Sequence, residues 1–145
     1  VQTLIKIVSR GGNLLLNIAP GPDGDWNPIA YQRLQDIADW MKINGKGIYG
    51  SEPLSPYSAG NIYFTKSKTT KTLYAFWLSE KDIVTLPPKV SFPVNNIQRL
   101  KKVSLLGGDQ KLKWTYQNGQ LTIQIPDSLQ KDNTLKYSDT FALEY

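Results

Sequence analysis

A chain of 145 residues with neither histidine nor cysteine must do any acid–base or nucleophilic chemistry with carboxylates, Lys, Tyr, Ser or Thr. The one spacing that suggests such chemistry is in Pro20-Gly21-Pro22-Asp23-Gly24-Asp25-Trp26. Two carboxyls held about 5 Å apart can share the work of glycoside hydrolysis, one as nucleophile and one as acid/base. A tryptophan beside them would offer a sugar a stacking platform. The same residues also have a plainer reading. Pro-Asp-Gly is common turn chemistry, Asp25 would be a charge near a helix start, and loop tryptophans often serve packing. Two other candidates are weaker. Gly11-Gly12-Asn13 and the Gly21/Gly24 pair lack the spacing of a dinucleotide or Walker loop. The aromatics Tyr63, Phe64, Tyr74, Phe76, Trp77, Trp114 and Tyr116 could line a carbohydrate-binding face or fill a β core.

The elements that must position the Asp23–Trp26 loop are legible. Val1, Leu4, Ile5 and Val8 carry the i, i+3, i+4, i+7 spacing of a core-facing helix, with Gly11 and Gly12 suited to its C-terminal cap. Asn13–Ile18 contains three consecutive leucines, a pattern expected of a strand covered on both faces as in a parallel sheet. Ala19–Asn27 is a loop. Asn27 can cap a helix with Pro28 at its first position, and Leu34, Ile37, Ala38 and Met41 form that helix's apolar stripe, flanked by Trp40 and Tyr31, up to Asn44-Gly45. In α/β folds, ligands bind beyond the C-terminal ends of parallel strands, which is where this loop falls.

After Ile48 the period changes. Ser51–Gly60, rich in Ser, Pro and Gly, reads as a linker. Short strands are expected at Asn61–Thr65, Thr72–Leu78, Ile83–Leu86, Val90–Pro93, Lys102–Leu106, Lys111–Tyr116, Gln120–Pro126 and Thr140–Tyr145. Asn118-Gly119 is a type I′ hairpin signal between two alternating runs. Together they predict an antiparallel sandwich over residues 61–145.

Net charge is +5, and the surplus lies in residues 51–145, which hold twelve Lys/Arg against eight Asp/Glu. Lys66, Lys68, Lys71, Lys101, Lys102, Lys111 and Lys113 are spaced along strands and turns, as lysines that guard sheet edges would be. A nucleic-acid partner would need them gathered on one face, and none is expected. No apolar run approaches the ~20 residues of a membrane span. Val1–Val8 has helical spacing rather than that of a signal peptide, so the chain is expected to begin inside a domain.

The run from Val8 to Pro53 resembles the end of the catalytic domain of the α-L-fucosidases of glycoside hydrolase family 29. The likeness is carried by Ser9, Gly11-Gly12-Asn13-Leu14-Leu15-Leu16-Asn17-Ile18, Pro20, Asp23-Gly24, Trp40-Met41, Asn44-Gly45 and Ile48-Tyr49-Gly50. Ala19 stands where the family often has glycine. Thr72–Phe76 and Lys102–Leu112 resemble the family's C-terminal sandwich more loosely. The resemblance implies the end of a (β/α)8-like barrel (one helix, one parallel strand, one helix) in residues 1–50, a linker in 51–60 and a C-terminal β-sandwich in 61–145. It implies a parent enzyme that removes terminal α-linked L-fucose from glycans with retention and needs no metal or organic cofactor. The family's catalytic Asp and Glu and its fucose-binding histidines lie upstream of this motif. No catalytic role therefore passes to any residue here, and Asp23, Asp25 and Trp26 remain candidates for the active-site rim. Residues 1–50 would need the upstream barrel, or another chain, to cover their leucines. The family also implies a periplasmic, secreted or lysosomal setting. The alternative is a non-catalytic carbohydrate-binding or structural sandwich module.

Overall fold

A computed structural model describes residues 1–80, 85–95, 97, 99–130 and 137–145. Local chemistry sets both long N-terminal elements. Helix α1 (Gln2–Val8) ends where Gly11 takes φ 85°, with Gly11 N–H donating to the Val8 carbonyl (2.9 Å) and Gly12 N–H to that of Ile7 (3.1 Å). That paired closure is a Schellman motif, and it needs the left-handed glycine. Helix α2 (Pro28–Asn44) starts as expected. Asn27 Oδ1 accepts from Ile29 N–H at 2.9 Å, and Pro28 stands where no N–H is needed. A 3₁₀ turn, Gly45–Gly47, follows.

The expected strand at Asn13–Ile18 joins no ladder among the described residues, and Leu15 is 84% and Leu16 53% exposed. A strand apolar on both faces needs parallel neighbours, and every described strand pair is antiparallel.

Among the described residues, eight strands form two sheets. The larger has the order β1 (Ser51–Ala59), β2 (Ile62–Ser67), β3 (Thr72–Leu78), β8 (Ser138–Glu144), β5 (Lys102–Leu105). The smaller has β4 (Lys89–Pro93), β7 (Gln120–Gln124), β6 (Lys113–Gln117). A short helix α3 (Asp127–Gln130) follows β7. Strand β3 coincides with its expected span. Of the strand expected at Ile83–Leu86, Ile83 and Val84 lie outside the described residues, and Thr85-Leu86 are not in a strand.

The Ser51–Gly60 segment corrects the linker reading, because it is mostly strand β1. Its prolines are tolerated because β1 lies at a sheet edge, paired on one side only. The ladder with β2 is broken between Pro53 and Ser58, where Tyr57 takes φ 72°. The Pro- and Ser-rich composition thus records a bulged edge strand.

Inward-facing residues of the two sheets make the main core: Phe64, Leu73, Phe141 and Leu143 from one, Phe92, Leu121 and Ile123 from the other. The Phe64 and Phe92 rings meet at 5.8 Å. Asn118 (φ 50°) and Gly119 (φ 75°) both adopt the left-handed conformation that a type I′ turn demands. That turn sets the register Trp114↔Ile123 and Tyr116↔Leu121.

The larger sheet is covered on its other face too. Tyr74, Phe76, Leu78 and Ala142 point outward and pack with Ile5 of α1 and Trp40 of α2. Trp40 Nε1–H donates to the Ser138 carbonyl at 3.0 Å, and Thr65 Oγ1–H donates to that of Gly47 at 2.7 Å. The buried face of α2 differs from the expected stripe. Trp40 and Asn44 are buried, Leu34, Ile37 and Met41 are only half-buried, and Ala38 is exposed. The helix turns its largest side chain toward the sheet, so the Leu34/Ile37 side borders Leu16 and Ile18 instead.

The 3₁₀ turn lies close enough to the sheet to require glycine. A Cβ on Gly47 would meet Phe76 Cζ at 2.7 Å and Tyr74 Cγ at 3.2 Å. Gly47→Ala is predicted to destabilise the chain by about 1–3 kcal/mol, the usual cost of overpacking a filled site. A urea midpoint lowered with an unchanged slope would record it, and an unmoved midpoint would refute the close approach.

Candidate functional site

The loop from Ala19 to Asn27 closes on itself through backbone bonds. Gly21 N–H donates to the Asp25 carbonyl (2.6 Å), and Gly24 N–H to the Gly21 carbonyl (3.0 Å), with Gly24 at φ 80°. The Pro-Asp-Gly signal is thus a turn, as its plainer reading has it. Asp25 Oδ1 accepts two hydrogen bonds, from Trp26 N–H at 2.9 Å and from the Tyr31 hydroxyl at 2.6 Å. The Trp26 and Tyr31 rings lie 5.5 Å apart at 45°. Asp25, Trp26 and Tyr31 therefore form one exposed cluster across the start of α2. Asp23, by contrast, makes no hydrogen bond or ion pair among the described residues. Tyr31 is the residue that sequence reasoning missed. Its signal was its position, one turn into a helix whose start Asn27 and Pro28 define.

The electrostatics oppose a proton-donating role for Asp25. The Tyr31 hydroxyl, and then the Trp26 N–H, hold its carboxyl below the usual aspartate range. A general acid needs the opposite shift. The same bond raises the Tyr31 phenol above its ordinary value. Asp25 is an anion at neutral pH, held in place by two donors.

Beside the cluster lies a cavity of 410 Å³, lined by Leu16, Ile18, Ile29, Arg33, Leu34 and Ile37 among others. It is largely apolar, with one guanidinium. Among the described residues no group of three or more Asp and Glu side chains could hold a metal ion, and no helix is long and apolar enough to cross a membrane. Gly11 and Gly12 serve the α1 cap and form no phosphate cradle. Most of the strand aromatics fill cores. Phe64, Tyr74, Phe76 and Trp77 are buried, and Trp114 and Tyr116 are half-buried against the main core. Tyr63 is half-buried with the Arg10 guanidinium 5.5 Å from its ring centre. The large exposed aromatics are instead Trp26, Tyr31, Tyr49 and Tyr57.

Residues 1–46 match the family described as Alpha-L-fucosidase, and residues 56–144 match the Alpha-L-fucosidase C-terminal domain. The tissue alpha-L-fucosidase of Mus musculus is 37% identical over 120 residues, covering 79% of this chain and 25% of that protein. The alpha-L-fucosidase of Branchiostoma floridae is 31% identical over 131 residues, 87% of this chain and 28% of that protein. The chain thus spans about a quarter of the length of the curated relatives it matches. Among solved structures, the alpha-fucosidase of Thermotoga maritima in complex with a mechanism-based inhibitor superposes with a TM-score of 0.78 at 22% identity, covering 99% of this chain and 33% of that one. Alpha-L-fucosidase isoenzyme 1 from Paenibacillus thiaminolyticus gives the same TM-score, identity and coverage. At that identity the likeness establishes the fold.

The Tyr31–Asp25 bond carries a pH signature. Asp25 titrates lower when folded, so its contribution is complete above the unfolded value of about 3.9 and is lost as pH falls through the folded one. Tyr31 titrates higher when folded, so its contribution is complete below about 10 and is lost as pH rises through its folded value. Tyr31→Phe should move the Asp25 carboxyl midpoint upward in a ¹³C NMR titration. An unmoved midpoint would disprove the contact.

Proposed function

The chain belongs to the alpha-L-fucosidase family, and we propose from this that it is the C-terminal part of a retaining α-L-fucosidase, an exo-glycosidase that removes terminal α-linked L-fucose. Residues 1–50 are the end of the catalytic barrel and residues 61–145 the C-terminal sandwich, with β1 added to the sandwich's larger sheet. The observation that supports this reading is the exposed Leu14-Leu15-Leu16 run, which lacks a strand partner among the described residues and sits within the segment that matches the Alpha-L-fucosidase family. Barrel strands are apolar on both faces, and one strand has meaning only among its parallel neighbours.

In the whole enzyme two carboxyls about 5 Å apart perform a double displacement. One attacks the anomeric carbon while the other protonates the departing glycosidic oxygen. The second then takes a proton from water, which releases fucose with its configuration retained. Both carboxyls, and the histidines that grip fucose, are supplied by the rest of the protein. The absence of histidine from this chain and the lowered pKa of Asp25 support that division. What this chain supplies is the closing βα unit, the 19–27 loop at the active-site rim with Asp23, Asp25 and Trp26, and the docked sandwich. Asp25 there is a fixed anion and Trp26 a ring braced by Tyr31.

The purified chain should release no aryl product from an aryl α-L-fucoside, whereas a longer protein from the same gene should. Its first product by ¹H NMR should be the α anomer. Turnover by this chain alone, or β-fucose as first product, would overturn the reading. A second expectation concerns the leucine run. An uncovered apolar patch drives association, so sedimentation velocity should show concentration-dependent oligomers of the chain that Leu15→Lys with Leu16→Lys largely disperses. A strictly monomeric wild-type chain would contradict it.

A further inference from the structure

Part of the lysine surplus of residues 51–145 is gathered by the fold. Lys66, Lys68, Lys71, Lys101 and Lys102 come to one end of the larger sheet, while Lys89 and Lys113 lie on either side of Gln124 in the smaller one and Lys111 precedes β6. The Lys71 carbonyl accepts from Tyr145 N–H (3.1 Å), and Lys101 N–H donates to the Glu144 carbonyl (2.8 Å). These two lysines therefore flank the end of β8 from opposite sides, two strand spacings or about 10 Å apart. Lys68 N–H donates to the Gly50 carbonyl (3.0 Å), which ties the β2–β3 turn to the residue before β1.

Two of the cations are compensated. Lys66 pairs with Glu52 at 3.0 Å and Lys102 with Glu144 at 3.4 Å. Lys68, Lys71 and Lys101 are exposed and form no ion pair among the described residues. The spacing across this end is comparable to the Debye length of about 10 Å at 0.1 M salt, so their potentials add. Hydroxyls lie between them. Ser67 Oγ accepts from Thr70 N–H at 3.1 Å, and Thr70 Oγ1 donates to Thr72 Oγ1 at 3.0 Å.

We propose that this end of the sheet, with Lys68, Lys71 and Lys101 at its centre, docks an anionic polysaccharide, a glycan carrying sulfate or carboxylate groups along its length. Ammonium groups on flexible stems meet repeating anions without a fixed register, and the intervening hydroxyls suit a hydroxyl-bearing ligand. That the anions ride on a glycan rests on the function proposed above, while the charge cluster stands without it. Such docking would hold a polymeric substrate near the enzyme while the reacting sugar is engaged elsewhere.

The test uses this chain and heparin as the sulfated probe, with neutral dextran as the uncharged control. Two variants of equal net charge are compared, Lys68→Ala/Lys71→Ala/Lys101→Ala and Lys89→Ala/Lys111→Ala/Lys113→Ala, each shown by circular dichroism to be folded. The first should lose about tenfold or more in affinity at ~0.1 M salt, with the log–log salt slope flattened by about 2–3. The second should lose less than about twofold. Equal losses in the two variants would reduce the effect to net charge and overturn the proposal, as would no loss or equal binding of dextran. Tighter binding of charge-matched duplex DNA than of heparin through the same lysines would overturn the assignment to a glycan. Turnover of an aryl fucoside by the longer protein is read independently, so the two readings fail separately.

Discussion

The structure depends on the burial of β3 and β8 on both faces. In a two-layer antiparallel sandwich each strand shows one face to the core and one to water. Here β3 is buried along nearly its whole length, and β8 from Ser138 to Leu143. One set of side chains, Leu73, Phe141 and Leu143, meets the smaller sheet. The other, Tyr74, Phe76 and Ala142, meets the helices. The molecule is therefore layered as helices, five-stranded sheet, three-stranded sheet. Trp40 ties the outer layer down, with its ring 6.3 Å from Phe76 and its indole N–H on the Ser138 carbonyl.

Much of this was legible where a local rule acts alone. The Asn27–Pro28 start of α2, the glycine closure of α1 and the Asn118-Gly119 turn are set by residues adjacent in sequence, and each formed as expected. Strand β3 was legible because its apolar run is bounded by polar turns. What failed depended on distant partners. β1 exists because β2 accepts it as an edge strand, which overrides the prolines and serines that mimic a linker. The buried side of α2 is chosen by the sheet it meets, so Trp40 and Asn44 displaced the stripe that periodicity favoured. The lysines looked evenly spread because the residues between them in sequence are removed from between them by strand pairing.

The candidate site shows the same division. Asp-Gly after proline proved to be a turn, which is local. The state of the Asp25 carboxyl depends on Tyr31, which the helix start brings into reach. A pair of aspartates two residues apart invites an acid–base reading, but only Asp25 is engaged by the donors, and they favour its charged form. The cluster is better described as an anchored anion beside a braced tryptophan than as a catalytic pair.

The outer layer bears on how such proteins are divided. Two family descriptions meet between residues 46 and 56, a boundary drawn from sequence inheritance. Physically it is not a seam. Ile5 and Trp40 on one side share a single packed cluster with Tyr74, Phe76 and Ala142 on the other, and Ile43 lies against Gly107. A sandwich transplanted without those helices would carry an oily sheet face into water. The boundary between the two matches thus cuts through one packed cluster, so grafting between relatives must move the two helices with the strands they cover.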